Sequence, residues 1–231
     1  MGGTQVLRTL TALVALAASA TLAGCAGATG ADPGATSGVT VVAPASVPAA
    51  PQDVVMIIRH AEKPDGSAPG LDEDGNEDDR SLTAVGWQRA RGLVELFDPT
   101  RGDPRPGIAV PEQIYAAGAT DDGEGQRTRE TVAPLGAALG LPVDTDLGRG
   151  DEKKLVKDVL AQSGTTLISW QHGGIPEIVD DFPSVSPEPP DEWPDDRFDV
   201  VWTLTRTADG WHFTQTPQLV LPQDRDGVIE N

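Results

Sequence analysis

Cysteine is almost absent from this chain: one residue, Cys25, in 231. A lone thiol excludes an intrachain disulfide framework, so the fold must be held by its own core. Basic residues are scarce too, with 17 Lys and Arg against 36 Asp and Glu and a formal net charge of −19. A chain so acidic has no general electrostatic route to nucleic acid. It also repels anions at long range, so any anion site must be built from cations gathered locally. Histidine occurs three times, at His60, His172 and His212. No HxH, HxxxH or DxD grouping stands beside the first two, which speaks against a metal site, and no cofactor is implied. No internal repeat is visible, and no run reaches the roughly 20 strongly apolar residues of a membrane-spanning helix.

What is present begins with a leader. Arg8 supplies a positive start, and a small, apolar run from Thr9 to Ala23 follows, the pattern of a secretory signal peptide. The run ends in "LAGC" (Leu22 to Cys25), which resembles a bacterial lipobox. That resemblance implies a signal peptide over 1–24, cut before Cys25, and lipidation of the Cys25 thiol. Acyl chains there would anchor the protein to the outer side of the cytoplasmic membrane. Residues 25–51 are nearly all Ala, Gly, Ser, Thr, Val and Pro, the composition of a flexible tether. One domain is expected over 52–226, with a short tail over 227–231.

Within the domain, "VVMII" at 54–58 is a continuous apolar run that ends in "RHAEKP" (Arg59 to Pro64). The run suits a strand buried on both faces. Further strands are expected at "EQIYAA" and "TTLISW". Helices are expected at "TAVGWQRARGLVELF", "GQRTRETVAPLGAAL", "DEKKLVKDVLAQ" and "IPEIVDDF". Thr83 can cap the first helix, and Gly140 can close the second. "FDVVWTLTRTADGWHFTQTP" reads as a hairpin across an Ala-Asp-Gly turn. Alternating strands and helices predict an α/β fold, a three-layer αβα sandwich around a mainly parallel sheet with an antiparallel edge.

In such folds ligands gather beyond the carboxyl ends of the strands. Arg59 and His60 follow the first strand and His172 follows "TLISW". Arg127 opens a helix that returns to the same edge. At this point the sequence resembles the histidine phosphatase superfamily, also called phosphoglycerate mutase-like. "RHAE" at 59–62 is similar to its Arg-His-Gly-Glu signature, with Ala61 in the glycine place. "SLTAVGWQRA" at 81–90, "QRTRETVAPL" at 126–135 and "LISWQHGGIPEIV" at 167–179 resemble its further segments, in the same order. The chain departs in having "AAGATDDGEGQR" where the family usually has serines before the arginine. The resemblance implies a phosphate-monoester hydrolase that acts on a small phosphorylated substrate. It places catalytic roles at His60, Arg59, Arg127 and His172.

The residue chemistry is consistent with that expectation. Arginine forks suit phosphoryl oxygens. Cations beside His60 disfavour its imidazolium and leave a nitrogen free to attack phosphorus, giving a phosphohistidine. His172 can donate to the same oxygens. Lys63 is a candidate substrate ligand, since acid-phosphatase relatives carry an arginine there; a solvated lysine is the alternative. The general acid stays open among Asp151, Glu152, Glu62 and Glu177. Residues 65–80 and 118–125 are expected to wall the pocket. Their acidity points to a substrate that is not polyanionic or that carries a cationic part. Whether the acidic loop 72–79 binds a cation is left open, although its Gly75 falls one place early for an EF-hand. His212 and the tryptophans at 193, 202 and 211 are assigned to packing. The alternative function is a surface lipoprotein that binds a phospholigand without turnover; a phosphomutase is a third.

Overall fold

The computed structural model describes residues 52–120 and 125–231. The expected signal peptide, Cys25 and the tether lie outside the described residues. No described helix is long and apolar enough to cross a membrane.

The "VVMII" run forms β1, Val54–Arg59, and the strand includes the arginine. Next come α1 (Ala84–Phe97), β2 (Gln113–Ala116), α2 (Gln126–Leu139), β3 (Val143–Asp144) and α3 (Glu152–Leu160). Strand β4 (Thr165–Trp170) runs into a single 3-10 turn over His172–Gly174 and then α4 (Ile175–Asp180). Strands β5 (Val185–Ser186), β6 (Val200–Thr207) and β7 (Gly210–Pro217) complete the chain order.

All seven strands form one sheet in the order β3-β2-β4-β1-β6-β7-β5. Strands β3, β2, β4 and β1 are mutually parallel, and β6 runs antiparallel to both β1 and β7. The antiparallel element is therefore the hairpin expected around Ala208 and Asp209. Its first strand lies beside β1 in the interior, and the sheet is bounded by the two-residue strands β3 and β5. Such short rims leave little unpaired backbone for other chains to add to.

The period-two alternation of β1 explains the three layers. Val55 and Ile57 face a cluster with Leu155, Val156 and Val159 of α3 and Ile178 and Val179 of α4. Met56 and Ile58 face the opposite cluster, with Leu93 and Phe97 of α1 and Val132 and Leu135 of α2. Each such apolar side chain, fully buried, contributes about 1.5–3 kcal/mol of transfer free energy. Trp193, Trp202 and Trp211 are buried in the first cluster, and Trp202 meets Phe213 edge-on at 5.3 Å. His212 alternates with them and points to solvent. The residues expected as a tail pack back on the domain. Ile229 is 3% exposed, and the carbonyls of Gly227 and Val228 accept from Arg197. An isoleucine followed only by Glu and Asn carries too little pattern to signal this in the sequence.

Candidate active site

The central register fixes which residues can meet. Strands β1 and β4 are parallel neighbours, with Arg59 opposite Trp170, and the backbone N–H of His60 donates to the Trp170 carbonyl at 2.9 Å. The residues that leave the two strands, His60 and Gln171–His172, therefore emerge at one edge. Strand β2 adds Ala117 and Gly118 there, since the Ala117 N–H donates to Ser169 O. This is the carboxyl edge of the parallel strands, where α/β sheets bind ligands.

His60 is 6% exposed. Its Nδ1 lies 2.7 Å from the carbonyl of Ala61, which can only accept. Nδ1 therefore carries the hydrogen, and in the neutral ring the lone pair is on Nε2. Burial lowers the His60 pKa to about 3, and Arg59, Arg127 and Lys63 push the same way against the opposing effect of the Ala61 carbonyl. At neutral pH the ring is an uncharged base, held in one tautomer and surrounded by cations.

Arg59 is fully buried. Its Nη1 donates to the carbonyls of Pro194, Asp195 and Arg197 at 3.1, 2.6 and 3.2 Å. Phe198 lies against the guanidinium, 4.0 Å from its carbon. These contacts hold the fork rigidly and leave Nε and Nη2 buried with no hydrogen bond among the described residues. Burial lowers its pKa to about 10, so the group stays charged at neutral pH. Two unused donors on a fixed cation suit phosphoryl oxygens.

Arg127 comes from the first turn of α2. Its Nη2 donates to Asp79 O at 2.7 Å and its Nε to Ser81 O at 3.3 Å. The turn is anchored by side chains from the "SLT" and "RTRET" segments. Buried Glu130 accepts from Ser81 Oγ, Leu82 N and Gln126 Nε2 at 2.8, 2.9 and 3.0 Å. Thr131 Oγ1 accepts from the Ala61 N–H and donates to Arg127 O, both at 2.7 Å, tying the segment after His60 to the helix bearing Arg127. The "LTAVG" glycine also has a reason. A Cβ on Gly86 would stand 2.6 Å from the Glu62 carbonyl, so only glycine lets α1 approach the chain two residues past His60. Thr83 caps that helix, its Oγ1 accepting from Gly86 N at 3.2 Å.

His172 is one-third exposed, and its Nε2 lies 2.9 Å from Asp195 Oδ1. Burial and Arg59 lower its pKa, with Asp195 opposing. A cavity of about 170 Å³ opens between these groups. His60, Lys63, Arg127, Arg149, Gln171 and His172 supply its polar lining, together with Thr120 and Thr128. Three cations and no carboxylate thus stand among the described lining residues. The net charge of the chain says nothing of this local field.

No family model and no curated protein matches the chain. Among solved structures it is similar to the protein histidine phosphatase SixA complexed with tungstate. The identity is 15%, over 71% of this chain and 97% of that one, with a TM-score of 0.48. It is also similar to a protein from Escherichia coli str. K-12 substr. MG1655 assigned as an alpha-ribazole-5'-P phosphatase. There the identity is 14% over 70% and 94% of the two chains, with a TM-score of 0.41.

The structure brings together His60, Arg59, Arg127, His172 and Lys63. It does not bring the four expected carboxylates to the cavity. Glu62 accepts from Arg89 Nε and Nη2 at 2.7–3.1 Å. Glu152 is buried and accepts from Trp170 Nε1 at 3.0 Å. Asp151 accepts from Gly148 N at 3.2 Å, and Glu177 is exposed on α4. These groups are committed to packing, helix entry or solvent. The loop 65–80 contributes the Asp79 carbonyl to Arg127 and no residue to the cavity lining. Of the other expected wall, Gly118, Thr120 and Gly125 line the cavity, and 121–124 lie outside the described residues. No group of three metal-ligating side chains occurs among the described residues, the 72–79 loop included. Sequence reasoning missed Arg149 and Asp195. Both lie in loops whose composition carries no signal of where they turn.

Proposed function

We propose that this protein is a phosphate-monoester hydrolase that works through a phosphohistidine at His60. The observation that carries the reading is the His60 ring: Nδ1–H is committed to Ala61 O at 2.7 Å, so the Nε2 lone pair is available beside Arg59, Arg127 and Lys63. In-line attack by Nε2 forms the N–P bond as the ester P–O bond breaks. Arg59 Nε and Nη2, Arg127 and His172 bind the phosphoryl oxygens, where their charge counts most as the transition state forms. Lys63, at the rim of the same cavity, binds substrate. Water then attacks phosphorus, which releases phosphate and restores His60.

The test is turnover of p-nitrophenyl phosphate and a broad phosphoester panel by the wild type and His60→Ala, with acid-quenched protein assayed for label on His60. Turnover that is lost in the variant, with label at His60, is expected. No turnover above the variant would leave a phospholigand-binding protein instead. The export reading completes the proposal: the enzyme is held on the outer side of the cytoplasmic membrane by lipid on Cys25. The "LAGC" segment and the Ala/Gly/Pro-rich stretch over 25–51 support it. Metabolic labelling with palmitate should mark the wild type and fail with Cys25→Ala; equal labelling would refute the anchor.

A further inference from the structure

With Asp151, Glu152, Glu62 and Glu177 engaged elsewhere, the proposed hydrolase lacks an assigned proton donor for its leaving group. One carboxyl does reach the site. Asp195 lies in the loop that grips Arg59: its own carbonyl accepts from Arg59 Nη1 at 2.6 Å, flanked by the carbonyls of Pro194 and Arg197. The same residue's side chain places Oδ1 2.9 Å from Nε2 of the cavity-lining His172 and 3.9 Å from Arg59 Nη2. Its neighbour Asp196 turns away and pairs with Arg225 at 2.6 Å. We infer that Asp195 is the general acid and base of this site, acting on the leaving-group oxygen and then on the attacking water. The inference rests on the phosphohistidine reading above.

Geometry is the first reason. In the proposed reaction His172 and Arg59 bind the phosphoryl oxygens, and a carboxyl within 4 Å of both His172 Nε2 and Arg59 Nη2 is within reach of those oxygens. Accessibility is the second. The Asp195 side chain is 79% exposed while Arg59 is fully buried, which puts the carboxyl on the solvent side of Arg59. An in-line reaction with His60 attacking from the interior sends the leaving oxygen toward that side. Charge is the third. A dianionic phosphoryl group and an ionised carboxylate repel each other at this range. A carboxyl that holds a proton avoids that repulsion, and a proton held there is what a general acid gives up. In the first half-reaction Asp195 gives its proton to the ester oxygen as the P–O bond breaks and the N–P bond forms. In the second, the carboxylate takes a proton from water as oxygen bonds to phosphorus and the N–P bond breaks. Each proton is accounted for, and Asp195 ends as it began.

Leaving-group dependence tests this. Asp195→Asn keeps the side-chain shape and the backbone carbonyl that holds Arg59, and replaces the ionisable carboxyl with an amide that cannot give and take a proton. For an alkyl phosphate such as glycerol phosphate, whose alkoxide must be protonated to leave, kcat/KM should fall about 100-fold. For p-nitrophenyl phosphate, whose phenolate leaves unaided, the loss in the rate of phospho-His60 formation should stay within about 3-fold. An equal loss on both substrates would mean a structural role and overturn the inference. So would a gain on both, which would show a carboxylate that merely blocks the site. Wild type that turns over neither substrate and never labels His60 sinks the hydrolase reading and this inference with it. Wild type that labels His60, with an unchanged substrate ratio in the variant, sinks this inference alone.

Discussion

The state of His60 can be tested without any substrate. Its pKa falls from 6.5 to about 3 because the ring is buried and faces Arg59, Arg127 and Lys63. That fall corresponds to about 5 kcal/mol against the imidazolium, at about 1.4 kcal/mol per pKa unit. The folded-state pKa lies below the unfolded one. As pH drops through 6.5, the unfolded chain takes up a proton that folded His60 refuses, so stability is lost from pH 6.5 downward to about 3. Comparing wild type with His60→Gln by urea denaturation at a series of pH values isolates this effect. The stability advantage of wild type should shrink by about 1.4 kcal/mol for each pH unit below 6.5. Histidine ring NMR supplies the second readout. With only three histidines, substitution assigns each signal, and His60 should show the Nδ1–H tautomer without titrating between pH 8 and 4.5. A midpoint near 6, or an Nε2–H tautomer, would refute the assignment of Nε2 as the nucleophile.

Other consequences are equally specific. Arg89 is buried between Glu62, Asp224 and Gln218 at 2.7–3.1 Å, so Arg89→Met should strand two carboxylates and cost about 3–5 kcal/mol in urea denaturation. A Cβ on Gly174 would meet Glu152 Oε1 at 2.7 Å and the Trp170 ring at 2.8 Å. Gly174→Ala should therefore lower stability by about 1–3 kcal/mol, read as a fall in Tm, and an unchanged Tm would show that Trp170 yields freely. Arg127→Ala should weaken competitive inhibition by inorganic phosphate about 10- to 100-fold, the worth of hydrogen bonds from a charged donor. Undiminished inhibition would remove Arg127 from the set of anion ligands.

The pattern of the chain determined the elements of this protein. The β-branched run at 54–58, the helical spacing of Ala90, Leu93 and Phe97, the cap at Thr83 and the left-handed glycine at 140 are local facts, and local sterics enforce them. The resemblance pointed to Arg59, His60, Arg127 and His172 together, and residues that follow parallel strands, as His60 and His172 do, share an edge. The carboxylates were beyond reach. With 36 acidic residues in the chain, each candidate looked plausible by type, and only the folded loops sort them. Glu62 was claimed by Arg89 from α1, Glu152 by Trp170 from β4, and Asp195 was delivered to His172 by a Pro-rich loop. Long-range pairing decides such questions, since a charge settles where its partner stands in space and nothing local records where that is. The same holds for the cations of the cavity: among the described residues the fold gathers Lys63, Arg127 and Arg149 there from three separate segments of a strongly acidic chain.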